Sequence, residues 1–99
     1  MTRVLTIIPV TGIGDVGPGT EIADLVLQSV GLADRDCLVV TQKIVSKAEG
    51  RVVPVDPDDL AARRALVESE SVRIVRRRGD LIISETRHGF VCANAGVDL

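Results

Sequence analysis

Cys37-Leu38-Val39-Val40-Thr41-Gln42-Lys43-Ile44-Val45-Ser46-Lys47-Ala48-Glu49-Gly50 is the stretch on which the fold turns. Its opening is an unbroken apolar run ending on a hydroxyl at Thr41, the pattern of a strand buried on both faces. In α/β proteins ligands gather beyond the carboxyl ends of such strands, so Thr41 and Gln42 stand where a ligand would arrive. The residues that follow are polar and apolar by turns and read as a short helix or an irregular connection. In a helical turn Lys43 and Lys47 project to the same side. Beside the hydroxyls of Thr41 and Ser46 they make a compact anion site suited to a triphosphate. Taken singly, each lysine reads equally as a solvated surface charge, and Glu49 is near enough to neutralise one of them.

Upstream, Val4–Val10 reads as another strand. It runs into Thr11-Gly12-Ile13-Gly14-Asp15-Val16-Gly17-Pro18-Gly19, where four glycines and a proline make helix unfavourable and close backbone approach easy. Gly12, Gly14 and Gly17 fit the G-x-G-x-x-G spacing of dinucleotide sites, but Pro18 delays the helix that should open within it, and no Walker lysine is present. A surface turn and a nucleotide-contacting loop are both open readings. Thr20 is the expected N-cap of a helix over Glu21–Val30, with Ile22, Leu25, Val26 and Val30 on one face and Gly31 as its stop.

Downstream, Arg51–Val55 is a short β run. Asp56-Pro57-Asp58-Asp59 carries the signals of a helix start, which predicts a helix from Asp56 to about Val75. Arg73, Arg76, Arg77 and Arg78 would then sit at its C-terminal end and meet the helix dipole favourably. Gly79-Asp80 turns into the β run Leu81–Ser84, a polar loop spans Glu85–Gly89, and a final strand runs from Phe90 to Asp98. The order of elements implies an α/β fold, or the α+β variant, with a mixed β-sheet and two main helices.

Two further constellations could carry chemistry. Ser84-Glu85-Thr86-Arg87-His88-Gly89 holds the only histidine, a carboxylate and a guanidinium, where a general base or an anion clamp would be sought first. A loop histidine bonded to backbone explains His88 equally well. Asp98 closes the small-residue run Ala93-Asn94-Ala95-Gly96; an aspartate at a strand end is a hard-cation ligand, but one carboxylate cannot hold Mg2+ or Mn2+ alone.

Composition narrows the partners. The 99 residues suit one domain, 45% are hydrophobic, and the formal net charge is −2. Phe90 is the one aromatic residue, so base stacking has no platform, and with net acidity the helix-dipole account of the arginines outweighs a nucleic-acid interface, the least favoured reading. Neither a signal peptide nor a membrane span is legible at the N-terminus. Cys37 and Cys92 lie in apolar runs without metal spacing and read as buried free thiols, which implies a cytoplasmic protein.

Four segments taken together resemble one family: Pro9–Ile13 with Gly17-Pro18-Gly19, Val40–Arg51, Glu70-Ser71-Val72-Arg73, and Glu85–Val91 through Ala95-Gly96-Val97-Asp98. They resemble the N-terminal part of the coenzyme F420-0:L-glutamate ligases, in order and over essentially the whole chain. The resemblance implies GTP-dependent addition of L-glutamate to coenzyme F420-0 through an acyl phosphate, with a divalent cation, Mn2+ or Mg2+, and K+ as a further ion. Matched residue by residue, Ile13, Gly14, Asp15 and Val16 correspond to the first guanine-nucleotide contact, Gln42 and Lys47 to the second and third, and Asp98 to a metal ligand. Gln42 stands where some members have serine. The resemblance gives no firm catalytic role to Arg87 or His88, which stay candidates for supporting the site or holding the acceptor, and it implies a homodimer with interlocked β-structure.

Members of that family continue beyond the aspartate with Ser-Asn and a long second part that supplies further metal carboxylates; here Leu99 follows Asp98. The expectation is an incomplete N-terminal part of the ligase fold, truncated after Asp98, with little activity by itself. The rival reading is a non-enzymatic module that binds nucleotide or associates with a subunit through unpaired strand edges.

Overall fold

In a computed structural model, residues 2–99 are described. They form a mixed α/β fold of three α-helices, a three-stranded antiparallel sheet and one short terminal turn. The chain divides into two compact units, one ending at Val52 and the other beginning at Val53.

The first unit contains α1 (Ile22–Ser29) and α2 (Gln42–Ala48). Helix α1 buries Val26 and half-buries Ile22 and Leu25, the face the sequence predicts. Its N-cap is Glu21 rather than Thr20, because the Thr20 hydroxyl instead accepts from Gly17 N at 3.1 Å. That bond belongs to a tight turn: Thr20 N donates to Gly17 O at 3.1 Å, Pro18 takes the second position and Gly19 the third at φ 82°. This is the residue pair a type II turn demands, since only glycine tolerates the positive φ there without strain. Helix α2 ends in a Schellman motif. Arg51 N reaches Ser46 O at 2.8 Å and Gly50 N reaches Lys47 O at 3.1 Å, with Gly50 left-handed at φ 69°.

The strands expected at Val4–Val10, Cys37–Thr41 and Arg51–Val55 are not formed. Val4, Leu5 and Ile7 are more than 80% exposed and Val39 is 89% exposed. The cause is physical: an apolar β run is held by ladder hydrogen bonds and by layers covering its faces, and among the described residues of this unit no neighbouring strand supplies them. Cys37 is accordingly exposed rather than buried, although both cysteines are free.

The second unit contains α3 (Leu60–Ser69), β1 (Ser71–Arg78), β2 (Leu81–Thr86) and β3 (Val91–Ala93). The helix starts four residues later than the sequence predicts. Asp56 makes a turn of its own, accepting from Asp58 N, while Asp59 is the N-cap and accepts from Ala62 N at 3.0 Å. It also ends before Val75. Ser69 and Ser71 turn their hydroxyls onto the carbonyls of Leu66 and Val67, competing with the helical ladder. The β-branched run beyond then pairs as β1, so the arginines Arg73–Arg78 lie on a strand and the helix-dipole account of them lapses.

Strands β1 and β2 join through Gly79-Asp80, with Gly79 at φ 59° in the first loop position, where a type II′ hairpin favours glycine. Strands β2 and β3 join through Arg87-His88-Gly89, with Gly89 left-handed at φ 84° and Thr86 N donating to Phe90 O at 2.8 Å. The core of this unit is Val67 from α3 against Ile82 and Ser84 from β2, all at most 2% exposed. Burying the two aliphatic side chains contributes roughly 1.5–3 kcal/mol each. Ser71 Oγ lies 2.8 Å from Ser84 Oγ, which keeps the buried serine satisfied. The last strand stops at Ala93 and does not run on to Asp98. Asn94, Ala95 and Gly96 instead make a left-handed turn.

Candidate functional site

In the first unit the glycine loop and α2 are drawn together by one backbone bond. Gly19 N donates to Ala48 O at 2.9 Å, and the Pro18 ring lies against Gly50, 3.7 Å from where a Cβ would be. The type II turn at Gly17–Thr20 therefore caps the C-terminus of α2, a contact the sequence reading missed. Its signal was legible in Gly17-Pro18-Gly19, whose turn type can be written from the residues.

Along the loop, Ile13 and Val16 are half-buried while Gly14 and Asp15 are exposed. Gly12 and Gly14 are left-handed, at φ 76° and 72°, and nothing lies within 4 Å of where their Cβ atoms would be. Their backbone is thus open to a ligand and takes a conformation that a larger residue would resist. On α2, Gln42 and Ser46 share a stripe, with Gln42 Nε2 donating to Ser46 Oγ at 3.3 Å. Lys43 and Lys47 lie on the adjacent stripe and both are exposed. Among the described residues, the Lys47 ammonium makes no ion pair, and an exposed cation of this kind can meet a phosphate without first breaking a bond.

In the second unit Asp98 is exposed and follows the left-handed turn. Its carboxylate oxygens are the hard donors that Mg2+ or Mn2+ prefers. The number of donors falls short: among the described residues no group of three or more His, Cys, Asp or Glu side chains could hold a metal ion. Asp98 matches a divalent cation in donor type alone, as one carboxylate where such an ion takes several oxygen donors.

The Ser84–Gly89 constellation is dispersed. Ser84 is fully buried, Glu85 pairs with Arg73 at 3.1 Å, and Arg87 pairs with Glu70 at 3.0 Å. His88 stands exposed at a hairpin tip. The two acids leave neither arginine unpaired to clamp an anion. The flanking arginines are similarly engaged, Arg77 with Glu68 at 2.9 Å and Arg64 with Asp80 at 3.2 Å. No helix among the described residues is long and apolar enough to cross a membrane.

Comparison with known proteins agrees with the segments singled out above. The family model for F420-0:Gamma-glutamyl ligase matches residues 12–99. A coenzyme F420:L-glutamate ligase of Methanothermobacter thermautotrophicus is 42% identical over 95% of this chain and 45% of its own length. Those of Methanopyrus kandleri and Methanocaldococcus jannaschii are 38% and 32% identical, over 84% and 83% of this chain and 38% of each relative. The chain thus spans less than half the length of these relatives. A match that begins within the glycine loop and takes in α2 and Asp98 places the chain in the F420-0:gamma-glutamyl ligase family.

Proposed function

We propose that this chain forms part of an enzyme that joins L-glutamate to coenzyme F420-0, with the glycine loop and α2 contributing to a GTP site. The observation that carries this reading is the bond from Gly19 to Ala48. It fastens an exposed glycine loop to the helix that bears Gln42 and Lys47. Ile13, Gly14, Asp15 and Val16 lie in that loop, where open backbone N–H groups serve a nucleotide.

A carboxylate is a poor electrophile, because expelling an oxide from carbon is prohibitive. Transfer of the γ-phosphoryl group of GTP to the terminal carboxylate of coenzyme F420-0 releases GDP and makes phosphate the leaving group. The glutamate amine then attacks the acyl carbon, loses a proton, and expels phosphate as the amide forms. Lys47 offsets phosphate charge through a charge-assisted hydrogen bond, and Gln42 donates or accepts toward the nucleotide. Asp98 would ligate a divalent cation, Mn2+ or Mg2+, whose chemistry when bound is to neutralise phosphate charge.

Calorimetric titration of the full chain encoded by the gene, with GTP or ATP in the presence of Mn2+, tests this. GTP should bind more tightly than ATP, and Lys47→Ala should weaken GTP binding by about tenfold or more, the worth of one charged hydrogen bond. Equal affinity for the two nucleotides, or an unchanged affinity in the variant, would refute the GTP reading.

A further inference from the structure

We infer that the cavity between α3 and the β1–β2 hairpin holds L-glutamate by its two carboxylates and its ammonium group. This assignment rests on the proposed ligation of L-glutamate and adds where that amino acid is held.

One wall of the cavity follows the period of a helix. Leu60, Arg63, Arg64 and Val67 stand three and four residues apart and share one face of α3. The hairpin contributes Asp80 and Ile82, and the turn after β3 contributes Asn94, around a volume of about 310 Å3. Buried Val67 and Ile82 give it an apolar floor, and the charged groups are more exposed. An apolar cleft with a few placed polar groups is the form small-ligand sites take, from roughly 300 Å3 upward.

The polar groups at this cleft are only partly used. Arg63 is half-buried and donates from Nη1 to Pro57 O at 3.3 Å, and it makes no ion pair among the described residues. Arg64 donates from Nη2 to Asp80 Oδ1 at 3.2 Å, which leaves the other nitrogens of that guanidinium and Asp80 Oδ2 to take a ligand. Asn94 Oδ1 accepts from Ile82 N at 3.3 Å, so the amide's remaining group is its NH2, a donor.

This inventory matches one class of ligand. Two guanidinium groups and one carboxylate are the opposite, charge for charge, of a molecule with two carboxylates and one ammonium. Guanidinium receives a carboxylate through paired N–H bonds, and the Asn94 amide adds a further donor. The apolar floor accommodates the methylene groups that separate the charges. A dicarboxylic amino acid has this composition, and L-glutamate is the proposed substrate of that kind.

Steady-state ligation by the full chain encoded by the gene, with GTP, Mn2+ and coenzyme F420-0, tests the site when L-glutamate is varied. Arg63→Gln should raise the KM for L-glutamate about tenfold or more, the worth of one charged hydrogen bond, while the KM for GTP holds. It should also narrow the preference for L-glutamate over L-glutamine, because a carboxylate has lost its partner. Asp80→Asn keeps a residue that turns accept and should raise the KM for L-glutamate through the ammonium group. Arg77→Gln breaks the ion pair with Glu68, outside the cavity, and should leave both KM values in place. An unchanged KM for L-glutamate in either cavity variant overturns the assignment, while continued product formation upholds the ligase reading. An equal rise in both KM values, or the same rise in Arg77→Gln, marks general damage and overturns it too. If the unmodified chain forms no product at any L-glutamate concentration, the ligase reading fails and the assignment falls with it.

Discussion

Single residues here show how much depends on where a polar atom finds its partner. Thr20 has the chemistry of an N-cap, yet its hydroxyl serves Gly17 in the turn before the helix. Asp56 has the same chemistry and closes a turn, leaving the cap to Asp59. In each case several acceptors compete for a few local N–H groups, and the winner depends on the path of the backbone around them. Thr86 is the opposite case. Its Oγ1 is buried and has no hydrogen-bond partner among the described residues. An unsatisfied buried hydroxyl costs about 1–3 kcal/mol, so Thr86→Val should leave stability unchanged or raise it by about 1 kcal/mol. Chemical denaturation measures this, and a clear loss of stability would reveal a partner for that hydroxyl.

At the scale of elements, the second unit is a helix packed on a hairpin, and its local signals agree with one another. Gly79-Asp80 and Arg87-His88-Gly89 are turn sequences of the right length, and β2 alternates buried Ile82 and Ser84 with half-buried Ile83 and Glu85. The cap at Asp59 starts the helix that covers this face. Asp59→Ala should therefore cost about 1 kcal/mol, the usual worth of an N-cap side chain. The same change at Asp56, which caps nothing, should cost less; equal losses would show that the helix starts earlier than it does here. The arginines of β1 contribute little to stability, because their ion pairs with Glu68 and Glu85 are solvent-exposed and such pairs are worth about 0–1 kcal/mol.

At the scale of the whole molecule, the contrast is between a second unit with a small core and a first unit that leaves apolar runs uncovered. Val4, Leu5, Ile7, Ile8 and Val39 are all exposed, between 61% and 89%. Apolar surface of this extent, on segments with strand-forming sequences, favours association. The 99-residue chain made by itself should show a sedimentation coefficient that rises with concentration, and Ile7→Lys with Val39→Lys should reduce that rise. A monomer at all accessible concentrations would show that these runs find cover within the chain.

The sequence by itself determined the α/β class, the helix over residues 22–29, the turn chemistry at glycine and proline, and the family to which the chain belongs. These rest on short-range rules: helical period, hairpin-loop residues, and motif spacing that survives whatever surrounds it. Residue type and spacing also made the open backbone of the glycine loop and the exposed charges of Lys47 and Asp98 legible, whereas their proposed roles toward nucleotide and cation come from the family resemblance. Tertiary structure alone decided the rest. Whether Cys37–Thr41 is a strand depends on neighbours that no local pattern contains. The change from helix to strand at Ser71 was set by serine hydroxyls and by pairing with β2. The left-handed turn before Asp98 needed Ile82, twelve residues away from Asn94, to hold it. Long-range partners fix these features, and a periodicity read along one segment carries no record of them.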